Sequence, residues 1–218
     1  MDMTQNLLRK SMMLCLLCAL VALCGAQAQA VPVTFSVNVN TTTLAGTNGF
    51  INLQLNPGGS GAESLTATVM NFAQTGGMLA ATSLNTGAVV GVLPGAVVFT
   101  NSTAFNDLFQ GDTFGSMFSF NVTFDGLALE PPSGTIGSVF SLSLFGANGT
   151  TPLLTSNMDG FLLQFNINPN GTITVSNFNT GAVTASQVGA AIPEPATMLL
   201  LGTGLAGVAA KVRRRRRA

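Results

Sequence analysis

The 218-residue sequence contains no histidine, tryptophan or tyrosine, and between Val31 and Ile192 it also lacks lysine, arginine and cysteine. Each absence removes a class of chemistry. Without His, Lys, Cys, Arg or Tyr, that stretch can build no Ser-His-Asp or Cys-His arrangement and no Schiff base. Without a thiol it makes no disulfide and no thiolate metal site, so only a hard oxygen site for calcium stays chemically reasonable. Without a cation it neutralises no phosphate, which argues against nucleic acid as a partner. The ionisable groups left are six acids, Glu63, Asp107, Asp112, Asp125, Glu130 and Asp159, so this body is strongly anionic.

A carboxylate pair of the glycoside-hydrolase kind is the one catalytic arrangement such a composition permits. The missing Trp and Tyr deprive it of the usual platforms for sugar rings. The expectation is therefore a protein that is not an enzyme and needs no cofactor. Asp107 and Asp112 lie close together in NDLFQGD, but their spacing is not that of an EF-hand loop, and they read as solvated loop acids.

All the basic residues sit in two terminal segments: Arg9 and Lys10 at one end, Lys211 and Arg213 to Arg217 at the other. At the front, Arg9 and Lys10 precede the apolar stretch Met12 to Leu23, and Ala28-Gln29-Ala30 supplies a small-x-small pattern. That order predicts a secretory signal peptide over residues 1–30, cut after Ala30, or failing that after Ala28. All three cysteines, Cys15, Cys18 and Cys24, fall inside it. Leu23 before Cys24 is too large for a lipoprotein signal, so the mature body is expected to be free of thiol.

At the back, residues 196–212 are apolar or small except Thr197, Thr203 and Lys211. As a helix they span roughly 25 Å, enough for a thin hydrocarbon layer. Arg213, Arg214, Arg215, Arg216 and Arg217 follow directly and are expected to stay cytoplasmic as a stop-transfer cluster. Ahead of the helix, Pro193 and Pro195 hold Pro193-Glu194-Pro195 extended, since each proline fixes its own φ and biases the residue before it away from the helical region. An extended tripeptide just outside a membrane is a shape that a processing enzyme can grip.

The order of Pro193-Glu194-Pro195-Ala196-Thr197, the apolar Leu199-Leu200-Leu201-Gly202 and the terminal arginines resembles the PEP-CTERM sorting signal of proteins exported by Gram-negative bacteria. The resemblance implies recognition of the tripeptide by a membrane-embedded exosortase, removal of the tail, and an association with exopolysaccharide and biofilm systems. It covers the tail alone and implies nothing about the activity of the body.

Within the body the dominant period is two. TFSVNV (34–39), INLQL (51–55), MFSFNVTF (117–124) and VFSLSLF (139–145) alternate apolar and polar residues, the last with Phe140, Leu142 and Leu144 on one face. GFLLQFNI and TITVSNF flank Asn168-Pro169-Asn170-Gly171, a hairpin signature. Further strands are expected over 64–72, 78–84, 88–92 and 96–100, separated by glycine-containing turns, and a short helix over 103–110, where Phe105, Leu108 and Phe109 share a helical face.

The prediction is an all-β protein, an antiparallel β-sandwich of which a jelly roll is one form, with phenylalanine filling the core. Residues 31–192 form this body, between the signal peptide (1–30) and the sorting segment with its transmembrane helix (193–218). The expected role is non-catalytic, structural or adhesive, in an extracellular polysaccharide matrix or at the cell surface. Exosortase, the inner membrane before processing, and exopolysaccharide are the expected partners. The alternative is a carbohydrate-binding, lectin-like sandwich, but its stacking faces would have to be exposed Phe, and most of the fifteen Phe fall at core-like alternating positions.

Overall fold

The computed structural model describes residues 31–130, 134–189 and Gly204. The expected signal peptide and, Gly204 apart, the expected sorting segment lie outside the described residues. Among the described residues no helix is long and apolar enough to cross a membrane.

Among the described residues the body is all-β, twelve strands in two antiparallel sheets with two single-turn 3₁₀ helices, Thr42–Leu44 and Leu127–Leu129. The strands are β1 (Val33–Asn40), β2 (Asn48–Pro57), β3 (Thr66–Thr75), β4 (Met78–Thr86), β5 (Val89–Gly91), β6 (Val97–Thr100), β7 (Asp107–Thr113), β8 (Met117–Asp125), β9 (Ser138–Gly146), β10 (Phe161–Ile167), β11 (Ile173–Asn177) and β12 (Val183–Val188). One sheet runs β12-β1-β8-β3-β6-β5 and the other β11-β10-β9-β2-β7-β4.

Among the first eight strands three pairings are nested, β1 with β8, β2 with β7 and β3 with β6, while β4 pairs with β7 and β5 with β6 and not with each other. This is the winding of a jelly roll, a long hairpin rolled across two sheets. The later strands widen it. β9 joins β2, β10 and β11 extend the second sheet outward, and β12 returns to cover β1.

Period-two patterning builds the core. Phe118, Phe120, Val122 and Phe124 of β8 are buried, as are Ile51, Leu53 and Leu55 of β2 and Phe140, Leu142 and Leu144 of β9. Across the interior, Phe124 of the first sheet meets Phe140 edge-on at 5.7 Å and Phe165 at 5.4 Å, and Phe35 lies 4.8 Å from Phe165. Each such buried ring is worth about 1.5–3 kcal/mol of transfer free energy, with favourable ring geometry adding about 0.5–1.5 kcal/mol per pair.

The 168–171 turn closes as its sequence requires. Gly171 has φ +79°, its N–H donates to the Asn168 carbonyl at 3.0 Å, and the Asn168 N–H donates to the Thr172 carbonyl at 2.8 Å.

The helix expected over 103–110 does not form. Residues 107–113 are instead β7, hydrogen-bonded to β2 on one side and β4 on the other. The two ladders outweigh the weak helical spacing, and they place Leu108 and Phe109 on opposite faces of a strand. β12 was not anticipated, because Thr184 to Val188 are largely exposed and give no apolar alternation.

Candidate functional site

β7 determines what the acids can do. Alternation turns Leu108, Gln110 and Asp112 inward and Asp107, Phe109, Gly111 and Thr113 outward. Asp107 and Asp112, five residues apart, therefore leave opposite faces of the strand and do not converge on one ion. The reading of both as solvated loop acids is corrected: they belong to a strand, and Asp112 is only 5% exposed.

Asp107 is half-buried. Its carboxylate accepts a hydrogen bond from Asn52 Nδ2 and is approached by Gln54. Burial raises its pKa, and the two amides offset part of that rise. Asp112 is pushed up by burial as well, with a smaller opposing effect from the amide of Gln74. That amide sits beside the carboxyl without hydrogen-bond geometry, so both Asp112 oxygens and Gln74 Oε1 are buried without a hydrogen-bond partner. Among the described residues, no three acids come together as a metal-binding group.

The outward face of the second sheet carries a different assembly. Asn52, Gln54 and Asn56 project from β2 in a chain of amides: Gln54 Nε2 donates to Asn52 Oδ1 at 2.9 Å, and Asn56 Nδ2 donates to Gln54 Oε1 at 3.0 Å. Asn56 Oδ1 accepts from the Asn106 N–H at 2.9 Å, so the row is held at both ends. Ser141 and Ser143 of β9 lie opposite Gln54 and Asn52. Asn166 of β10 donates to Ser176 of β11 at 3.1 Å.

Beside this polar row stand three phenylalanines that the core does not take. Phe50 stacks on Phe109 with ring centres 4.5 Å apart and planes 23° from parallel, and Phe109 meets Phe145 at 5.9 Å. All three are half-buried. They face outward because they are out of phase with Ile51, Leu53 and Leu55 on β2 and with Phe140, Leu142 and Leu144 on β9. That phase was present in the sequence, although most of the fifteen Phe fall at core-like alternating positions.

Next to Phe50 an open groove of about 420 Å³ runs between β2, β7 and β4, bordered by Leu79, Ala80, Gly111 and Thr113. A second cavity, of about 640 Å³, lies at the other end of β2 and is lined by Pro57, Leu65, Asn101 and several Ser and Thr. Its lining includes neither an aromatic ring nor an ionisable side chain.

The described residues form an acidic, jelly-roll-wound β-sandwich, and the chain's address is written outside it. That address is identifiable: residues 191–216, which include Pro193, Glu194 and Pro195, match the family model of the PEP-CTERM protein-sorting motif. The chain carries the PEP-CTERM sorting motif, which supports its being an exported exosortase substrate. The match leaves the sandwich uncovered, and no curated protein and no solved structure matches the chain.

Proposed function

We propose that the sandwich is a non-catalytic structural or adhesive component of an extracellular polysaccharide matrix or of the cell surface. The signal peptide directs export and is removed after Ala30. The helix over 196–212 then holds the protein transiently in the inner membrane, with Arg213 to Arg217 on the cytoplasmic side. Exosortase grips Pro193-Glu194-Pro195 and removes the tail. The observation that carries this reading is the sorting-motif match at 191–216, which commits the chain to export and processing. The body supports it by what its residues are: dispersed acids, amides and hydroxyls on a rigid phenylalanine core.

Two experiments test the proposal. Replacing Glu194 and Pro195 together by alanine should leave the unprocessed protein in the inner-membrane fraction; normal release of that variant would remove the tripeptide from the mechanism. In a strain lacking the protein, each single variant Glu63→Gln, Asp107→Asn, Asp112→Asn, Asp125→Asn, Glu130→Gln and Asp159→Asn should restore matrix cohesion as well as the wild type does. Loss of function in one folded variant would point instead to carboxylate catalysis.

A further inference from the structure

The geometry points to a binding site for a neutral polysaccharide chain on the outward face of the second sheet, in the groove beside Phe50 and along the amide row of β2. This inference deepens the matrix role above and rests on it, by naming the ligand class and the surface that takes it.

Gly111 stands directly opposite Phe50 in the β2–β7 register, and its missing side chain leaves the ring uncovered on that side. A Cβ at Gly111 would lie 3.3 Å from the Ala80 Cβ and 3.9 Å from the Phe50 ring, so any side chain there would begin to fill the groove. The opening of about 420 Å³ lies in the size range of small-ligand sites and admits a sugar unit against the ring.

Sugars present apolar C–H faces and a rim of hydroxyls, and they are held by an aromatic surface flanked by neutral donors and acceptors. Phe50, stacked on Phe109, supplies the surface. Asn48 and Thr113 flank it, and because Thr113 Oγ1 donates to Asn48 Oδ1 at 2.8 Å, the Asn48 Nδ2 is left to donate to a ligand. Further along the same face Asn52 is buried, and the half-buried Gln54 and Asn56 are fixed by the hydrogen bonds of the amide row, so a chain reaching those two meets groups already ordered.

The body between Val31 and Ile192 has six acids and no base, and Asp107 lies on this very face. A polyuronate or other anionic chain would be repelled and would find no counter-ion, which selects a neutral glycan. A second copy of the protein would bring the same net negative charge to the contact.

The test is affinity electrophoresis of the exported protein, purified from culture medium, in native gels containing dextran, hydroxyethylcellulose or galactomannan, with polygalacturonate as the anionic control. At least one neutral polymer should retard the wild type, and polygalacturonate should not. Phe50→Leu, which keeps apolar volume but loses the ring, and Asn48→Ala, an exposed position, should each weaken retardation about tenfold while the circular dichroism spectrum stays unchanged. No retardation by any of the neutral polymers, or retardation that survives both substitutions, overturns the site. A dimer in sedimentation that Phe50→Leu dissociates would assign the face to self-association and also overturn it. If the site fails while loss of the protein still weakens the matrix, the structural role stands and only its ligand is wrong.

Discussion

Two polar side chains on the inward face of β7 have opposite fates. Gln110 is fully buried and fully used: its Oε1 accepts from the Leu93 N–H at 3.0 Å, and its Nε2 donates to the carbonyls of Leu93 at 2.9 Å and Ala80 at 2.8 Å. Truncating it strands three backbone groups, so Gln110→Ala should lower stability by about 2–4 kcal/mol in urea unfolding. Asp112, two residues on, is buried with no partner for either oxygen. Burial raises its native pKa above the ordinary value of 3.8, so the native state binds the proton more readily than the unfolded chain does. Stability should therefore rise as pH falls from neutral through the raised native pKa, with the gain complete below 3.8. Asp107, also raised by burial, acts in the same direction. Asp112→Asn removes the charge and offers an N–H to the orphaned Gln74 Oε1. It should stabilise the protein at pH 7 by about 1–2 kcal/mol and flatten the acid-side rise, both measurable as urea midpoints at two pH values.

At the scale of the element, the sequence was most legible where alternation was strict and turns were marked. MFSFNVTF and VFSLSLF became β8 and β9, and Asn-Pro-Asn-Gly closed the β10–β11 hairpin. Gly171→Ala forces a Cβ into a positive-φ position 2.7 Å from the Leu129 carbonyl oxygen, and should cost at least about 1–2 kcal/mol in the same unfolding assay. Legibility failed where the determinant was a neighbour rather than a pattern. β7 mixes Asp, Gln and Gly with two apolar residues, and its strand state comes from the ladders to β2 and β4. β12 is polar and exposed, and is a strand because β1 offers it an edge. The outward aromatic face was half legible: the phase of Phe50 and Phe145 could be read, but their contacts with Phe109 join residues 59 and 36 positions apart in the chain. β4, nearly all exposed at a sheet edge, and β12 should exchange their amide hydrogens well before β8 and β9, whose strands are paired on both sides.

At the scale of the whole molecule, charge and chemistry are divided between a body and its ends. The body is an anionic, cation-free sandwich wound from nested strand pairs; the basic residues lie in the segments read as signal peptide and sorting tail. That division leaves the surfaces of the body to offer amides, hydroxyls and rings to the outside. The sorting-motif match accounts for the C-terminal segment and not for the sandwich, so the body's role has to be argued from its faces. The most direct measurement is the intact mass of the protein recovered from the medium of its native host, set beside that of the membrane fraction. The account predicts a released product that has lost both the residues before about Val31 and the arginine-bearing tail, with tail-containing precursor confined to the membrane. Release of a product still carrying Arg213 to Arg217, or a full-length chain in the cytosol, would contradict it.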